Sequence, residues 1–393
     1  MSHTGRQIQI KITNPHFFVL LTFMLVGTTF LTMPTTLADR VMQDGWWIPL
    51  VSMVIAFPFV YLMILFGRWY PNQSLPEMLV TVFGNVFGKI LLVIVLLLAF
   101  YNGAGHTYFF TAFMNTHFFR NTPTEFIVPS LMLVIIIGAF MGIEVLGRAA
   151  IISFVPFIAF LISITIFSFG DVEVRYLLPM LQQEPMQYID AILLFSSKII
   201  TTNLVLMLFF YPKNIETKHK AEKMVYLAYF FSCFLLFVTT FMAITILGPD
   251  LTKVKLFTGF SLGQRVELGD IIERLESMLL IMFFVSFYFM NALYLYIVAT
   301  GVSFLAKVNN YKPLVIPIGI IYAYFSLTEF TNLIEDSAYY FYGSFFFIIP
   351  ACYVIPLLMF IVTITLRKRN GLPLFPEKKQ KKKPPHTSYA NRT

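Results

Sequence analysis

Met24-Leu25-Val26-Gly27-Thr28-Thr29-Phe30-Leu31-Thr32-Met33-Pro34 is the stretch whose reading decides the fold. It lies in a run, residues 12–38, without a single Asp, Glu, Lys or Arg. About 20 apolar residues suffice for a helix to cross a bilayer core. Yet a glycine, three threonines and a proline crowd the quoted stretch. Lipid offers backbone groups no hydrogen-bond partners, so helix breakers at mid-depth are tolerated only inside protein or along a cavity. Pro34 removes a donor and clashes one turn back. Two readings stand. One is a discontinuous helix whose freed N–H and C=O groups meet a ligand, as in transporters built from repeats. The other is a proline kink packed by threonine back-bonding.

The rest of the chain is of the same kind. Of its 393 residues 58% are hydrophobic, 17% aromatic and only 12% charged, against about 25% charged in a soluble domain. This excludes a soluble globular protein, a disordered chain and a disulfide scaffold. Further charge-free runs cover 46–66, 90–119, 126–143, 149–170, 224–249, 277–306, 313–328 and 337–366. A tenth, 185–212, is interrupted only by Asp190 and Lys198. A barrel would show alternating segments of about ten residues; continuous runs predict ten transmembrane helices. The run 313–328 is short and is expected to continue past Glu329. The first run is too long for a signal-peptide core and no small-residue cleavage site follows it, so it reads as a retained span. Cys233 and Cys352 fall inside spans and read as apolar packing residues.

An even number of spans places both termini on one side. That side carries 20 of the 28 Lys and Arg residues, the opposite side seven, and Lys198 lies within a span. The positive-inside bias predicts cytoplasmic termini. The formal charge of +8 has a single origin: residues 367–393 hold nine Lys or Arg and one Glu, and the remainder is balanced. The reading is thus a ten-helix transmembrane domain, 1–369, and a disordered basic cytoplasmic tail, 370–393. Arg367, Lys368 and Arg369 anchor the last helix. The cluster Lys378–Lys383 suits anionic lipid headgroups or an acidic partner better than nucleic acid. No Walker or dinucleotide motif occurs, and the six His are scattered without metal-ligand spacing. No cofactor, metal or enzyme chemistry is expected.

The sixth span is polar at its centre: Ser196-Ser197-Lys198-Ile199-Ile200-Thr201-Thr202-Asn203. Six polar residues in eight are expensive in mid-membrane unless they face one another or water. Spans one and six, equivalent first helices of two five-helix halves (about 12–170 and 185–366), are both polar at the centre, which points to a site between inverted repeats. The second lacks the Gly and Pro of the first. The Lys198 ammonium could face a substrate carboxylate, replace a coupling cation, snorkel, or pair with a carboxylate on another helix. In the third span, Tyr101-Asn102-Gly103-Ala104-Gly105-His106 reads either as space beside an aromatic or as a small-residue packing face. His106 reads as a packing hydrogen-bonder or a proton relay. Ser286, Tyr288 and Asn291 have spacings that could share a face. Glu273 and Arg274 read as a dipole-stabilised helix start or an outer gate pair. Glu144 and Arg148, in a tight turn, have the spacing of a structural ion pair.

Several motifs together resemble a known family. They are Gly27-x6-Pro34 followed by Asp44-Gly45-Trp46, then Gly142-x-Glu144-x3-Arg148, then Ile272-Glu273-Arg274-Leu275-Glu276-Ser277. With their order and ten spans they resemble the B subunits of bacterial spore-germination nutrient receptors, the GerAB-like endospore germination permeases, over about residues 8–369. The resemblance implies an all-α amino acid–polyamine–organocation (LeuT/APC-like) transporter fold of two inverted five-helix repeats. It implies a small germinant, typically an amino acid, bound at the centre, residence in the spore inner membrane, and receptor A and C subunits as partners. By position, Gly27 matches the glycine of the broken first helix, Tyr101 and Gly105 match pocket positions of the third, and Thr201–Asn203 match the sixth. Leu204 and Leu206 stand where relatives often carry Gly and Glu, and Lys198 is unusual.

The expected ligand site is therefore Gly27, Thr28, Thr29, Tyr101, Gly105, Lys198, Thr201, Thr202 and Asn203. Amides freed around Gly27–Thr29 would hold a carboxylate. Carbonyls and hydroxyls of spans one and six would hold an ammonium. Tyr101 would cap the pocket and Gly105 set its size. The alternative is a proton-coupled amino-acid permease of the same fold, with Lys198 or His106 as coupling group; a structural membrane anchor with a vestigial pocket is a third class.

Overall fold

The structure, a computed structural model, describes residues 11–265, 272–328 and 348–374. Within these, side chains of 264–277 are left aside. The expected continuation past Glu329, the part of the run 337–366 before residue 348, and the tail beyond residue 374 lie outside the described residues.

The described chain is almost wholly helical. The helices are α1 (Asn14–Val26), α2 (Thr29–Val41), α3 (Ile48–Ile55), α4 (Phe57–Trp69), α5 (Leu75–Phe83), α6 (Asn85–His117), α7 (Thr124–Met141) and α8 (Ile143–Phe167). Then come α9 (Pro185–Phe195), α10 (Thr202–Met207), α11 (Lys218–Leu247), α12 (Pro249–Val254), α13 (Thr258–Arg265), α14 (Ile272–Ala306), α15 (Lys312–Thr328) and α16 (Ile355–Arg369). Wide π turns precede α10 (Ser196–Thr201) and α16 (Pro350–Val354).

Among the described residues, eight helical segments are long and apolar enough to cross a membrane; the pair α3 and α4, bent by 42° at Ala56, makes a ninth. Pro58, at the start of α4, supplies no amide to α3. The remaining expected span, the run 313–328, corresponds to α15, 17 residues long. The protein is a multi-pass membrane protein.

The first span lies at the centre. In its most apolar window 83% of residues are buried, against 17% for Ile143–Asp171. The span α1–α2 packs against α8, α11 and α14. Ile152 and Val155 of α8 are 75% and 68% exposed, as suits a lipid-facing side. Cys233 and Cys352 are buried free thiols.

At the end where Ile12 and Leu374 lie, the bundle is tied shut. Ile12 N donates to Asn214 O at 2.8 Å and Glu216 N donates to Ile12 O at 3.1 Å. Phe17 stacks on Tyr211, centroids 5.6 Å apart. Tyr211 in turn occupies the space a side chain at Gly67 would need, 2.4 Å from its ring. Arg68 clasps Glu222 through two bonds of 2.9 and 2.7 Å. At the far end α12 and α13 fold over α2. The Glu144–Arg148 pair forms at 2.6 Å on an exposed turn. The Glu273–Arg274 reading lies outside the described side chains.

Candidate functional site

The first helix is discontinuous. α1 ends at Val26, Gly27 takes φ +40° and ψ −125°, and α2 begins at Thr29. Such a positive φ suits glycine. A side chain here would also strike Met290, whose Sδ lies 2.1 Å from the ideal Cβ position. Pro34 is not the break: it lies inside α2, which continues to Val41. Lacking N–H, Pro34 leaves the Phe30 carbonyl without its helical donor. Gly259 of α13 packs there, its ideal Cβ position 3.1 Å from Phe30 O.

The break opens on a cavity of about 360 Å³. Its wall along α2 is one helical face: Thr28, Thr29, Thr32, Met33, Thr36 and Arg40. α6 contributes Asn102 and His106, one turn apart; α14 contributes Met290 and Tyr294; the sixth span contributes Leu194, Lys198, Ile199 and Asn203. Lys253 and Leu256, after α11, close the far side.

Hydrogen bonds set these side chains. His106 Nδ1 and Thr28 Oγ1 are 3.0 Å apart, so the imidazole touches the break. Tyr294 OH donates to Asn203 Oδ1 at 2.9 Å, while Asn203 Nδ2 donates to Ile199 O at 2.8 Å. Asn102 Nδ2 donates back to Leu98 O at 3.0 Å. Arg40 bonds Asp190 at 2.8 Å, joining α2 to α9. The adjoining Asp44 accepts from Tyr188 OH at 2.6 Å and from Leu181 N at 2.8 Å.

The sixth span is not broken like the first. It carries a π turn, Ser196–Thr201, between α9 and α10. The i→i+5 bonding of such a turn brings residues five apart towards one face. Thr202 Oγ1 donates to Ser197 O, five residues back, at 2.8 Å. Lys198 and Asn203, five apart, both face the cavity.

The structure thus brings Thr28, Thr29, Lys198 and Asn203 to one cavity, with Gly27 at the hinge beside it. Besides Gly27, four expected residues do not line this cavity. Tyr101 and Gly105 each precede a lining residue of α6, Asn102 and His106. One helical position turns a side chain through about 100°, and Tyr101 instead meets Phe325, centroids 6.2 Å apart. Thr201 and Thr202 turn their hydroxyls back to Ser197 O at 3.0 and 2.8 Å, and Thr202 also lies 3.2 Å from Cys352 Sγ. Ser286, Tyr288 and Asn291 serve separate contacts: Ser286 bonds Phe283 O, Tyr288 abuts Gly138, and Asn291 accepts from Tyr322 OH at 3.0 Å.

The fold is that of a known class of membrane transporters. A sodium-coupled sialic acid symporter, solved in a substrate-bound outward-open state, superposes with a TM-score of 0.68 at 13% identity, covering 92% of this chain and 84% of that one. A nucleobase-cation-symport-1 family transporter, MHP1, gives 0.69 at 12% identity, covering 92% and 80%. MhsT, solved in complex with L-phenylalanine, gives 0.62 at 15% identity, covering 91% and 90%. This is the LeuT/APC-type fold of two inverted repeats.

Residues 11–334 match the spore permease family, described as spore germination protein, and the chain belongs to that family. Among its relatives are two proteins of Bacillus subtilis. Spore germination protein KB is 25% identical over 363 residues, 92% of this chain and 96% of that one. Spore germination protein A2 is 23% identical over 373 residues, 93% and 98%. Family and fold are those of germination proteins and transporters, not of enzymes.

Proposed function

We propose that this chain is the membrane-embedded subunit of a germinant receptor. It binds a small nutrient, an amino acid, in the cavity at the break of the first helix, and binding triggers spore germination. The observation that carries this reading is the juxtaposition of a helix start and a ligand-sized cavity in a member of a spore germination family. The first amides of α2 have no intrahelical partner, and the positive end of its dipole favours a carboxylate. Thr28 and Thr29 flank that end, and Asn203 and Tyr294 supply polar atoms opposite. A ligand shifts the bundle only if it binds one state better. The tied end near Ile12 and the cavity reaching exposed Asp39 describe a state open on one side.

In this reading both termini are cytoplasmic and the protein resides in the cell membrane or spore inner membrane. The repeats divide at about 12–170 and 185–366, and the tail from residue 370 meets anionic lipid. Partners are receptor A and C subunits. Labelled amino acids should bind the purified, reconstituted chain, and deletion should abolish germination to the same nutrient while proteoliposomes show no net uptake. Germination unchanged on deletion would sink the receptor reading. Uptake driven by a proton gradient would favour a proton-coupled amino-acid permease. The observation favouring that second reading is His106, a titratable ring bonded to Thr28 at the break.

A further inference from the structure

The basic tail leaves the bundle from an anchored stem. Gly371, just past α16, takes φ +64°. Its N–H donates to Lys368 O at 3.2 Å, and Leu372 N donates to Arg367 O at 2.9 Å. A left-handed glycine with this bonding ends a helix and turns the chain back on it. The stem, residues 370–374, is then gripped twice. Arg367 Nε and Nη2 donate to Pro373 O at 2.9 and 2.8 Å. The buried Trp69, last residue of α4, donates its indole N–H to Leu374 O at 2.9 Å. The Arg367 guanidinium lies over the same ring, 5.8 Å from its centroid, and Phe360 of α16 stacks on it at 5.8 Å.

Trp69 directly follows the two residues through which α4 enters the tied end. Gly67 lies against Tyr211, and Arg68 clasps Glu222. These contacts close a ring. Trp69 and the stem join α4 to α16. The π turn before α16 touches the sixth span, with Cys352 Sγ 3.2 Å from Thr202 Oγ1. Tyr211, just beyond the sixth span, returns to Gly67. Coupling travels through packed side chains and rigid helices, so drawing Gly67 off Tyr211 strains the other two links.

The stem also lies where the lipid-facing side ends. Leu358, Ile361 and Leu366 of α16 are exposed and apolar, and Arg367, Lys368 and Arg369 follow at once, the mark of a span reaching the headgroups. Lys378, the first of five lysines in 378–383, is four residues beyond Leu374. Four residues span at most about 14 Å, so the cluster begins within reach of headgroups while the stem stays clipped.

We propose that the stem is a strap that holds the tied end closed, and that anionic lipid bound by these lysines tightens it. The inference takes from the proposed function only the tail's contact with anionic lipid, and it needs no germinant. Clip and lipid contact share one short chain, so each raises the effective concentration for the other.

The test follows hydrogen exchange of the full chain in nanodiscs of phosphatidylcholine, with and without phosphatidylglycerol. The readout is the peptides holding Ile12 and residues 214–216, whose backbone bonds make the tie. The peptide holding Thr252, at the far end, is the control. Exchange at the tie should be at least about threefold slower in the anionic nanodiscs, and added salt should remove the difference. Lys378→Gln, with the same change at Lys379, Lys381, Lys382 and Lys383, should remove it too. Trp69→Phe keeps a stacking ring and loses the donor. It should speed exchange at the tie about fivefold, as for one lost hydrogen bond, and spare Thr252. Exchange at the tie that ignores lipid charge in the parent overturns the proposal, even if neither variant folds. So does a lipid effect that survives the lysine changes, or a Trp69→Phe protein whose tie exchanges as before or no faster than its Thr252 peptide. Tryptic cleavage of the tail separates the causes. Lysines cut equally fast in both nanodiscs remove the lipid contact itself; lysines protected by anionic lipid while the tie is unmoved leave that contact standing and remove only the strap.

Discussion

The first and sixth spans meet at the same cavity and solve the same problem by different means. Each must interrupt a helix at mid-depth, where backbone groups left without partners are expensive. The first does so abruptly: a glycine in a left-handed conformation separates two half-helices, and one start of a helix is exposed. The sixth never stops being helical. It widens into a π turn, keeps its backbone bonded, and uses the extra residue to re-aim Lys198 and Asn203. The first span therefore offers backbone to a ligand, and the sixth offers side chains. Gly27 has no counterpart in the sixth span because nothing there needs a positive φ.

The sharpest way to break this contrast is a side chain at Gly27. For Gly27→Val, backbone strain and the collision with Met290 together amount to about 3–5 kcal/mol. The purified protein should lose ligand binding and much of its thermal stability. Adding Met290→Ala should recover the steric part and not the conformational part. A Gly27→Val protein as stable and as competent as the parent would show that the break is not held by backbone conformation.

In the sixth span the corresponding weak point is a side chain. Asn203→Leu leaves the buried Tyr294 hydroxyl without its acceptor, a loss of about 1–3 kcal/mol. Pairing it with Tyr294→Phe removes both partners and should restore most of the stability, since replacing both with apolar groups is nearly neutral. Thermal unfolding of the single and double variants reads this directly; additive losses would show that the bond does not set the Asn203 side chain.

A milder test concerns Pro34. α2 tolerates it because α13 packs a glycine against the carbonyl it frees. Gly259→Ala places a Cβ 3.1 Å from that carbonyl and 2.7 Å from Leu31 Cδ2, and should destabilise by about 1–2 kcal/mol of overpacking. Protease accessibility around α12 and α13 should rise, whereas the same change at Gly170, which has open space beside it, leaves that segment protected.

Much of this was legible in the residues, and the limits are physical. Charge-free runs located the spans because lipid excludes charge whatever the packing. Gly27 is visible because a glycine amid threonines and ahead of a proline in mid-run is one mark of a discontinuous helix. The sequence leaves a broken helix and a proline kink both open, because what Pro34 frees is covered by a glycine 225 residues away in the chain, which no local pattern reveals. Tyr101 and Gly105 were placed one position off the lining face of α6. The stretch around them has small, aromatic and polar residues on every side, so no hydrophobic contrast marks the face. The wall residues Met290 and Tyr294 lie in an aromatic run without a distinguishing pattern. The π turn was visible only as polarity, because Ser, Lys and Thr specify no particular helical winding.

The smallest expected effect lies where the two spans are tied together at their closed ends. There the first span is held by backbone, through Ile12 and the 214–216 segment. The sixth is held partly by charge: Leu75 N donates to Leu208 O at 2.8 Å, and Lys213 reaches Glu77 at 2.5 Å. Burial raises the Glu77 carboxyl, but Lys213 and the Ser74 amide and hydroxyl outweigh it and hold the group below its ordinary value of 4.5. A carboxyl depressed on folding stabilises the folded state above its unfolded value. That contribution is lost as pH falls below about 4.5 and through the lower folded value. Glu77→Gln should remove this part of the acid sensitivity and lower stability near neutrality by up to about 1 kcal/mol, as for partly exposed pairs. The tie made by Ile12 contains no titrating group and should not respond. Identical acid profiles for the parent and Glu77→Gln would mean that the sixth span, like the first, is held at this end by backbone and packing alone.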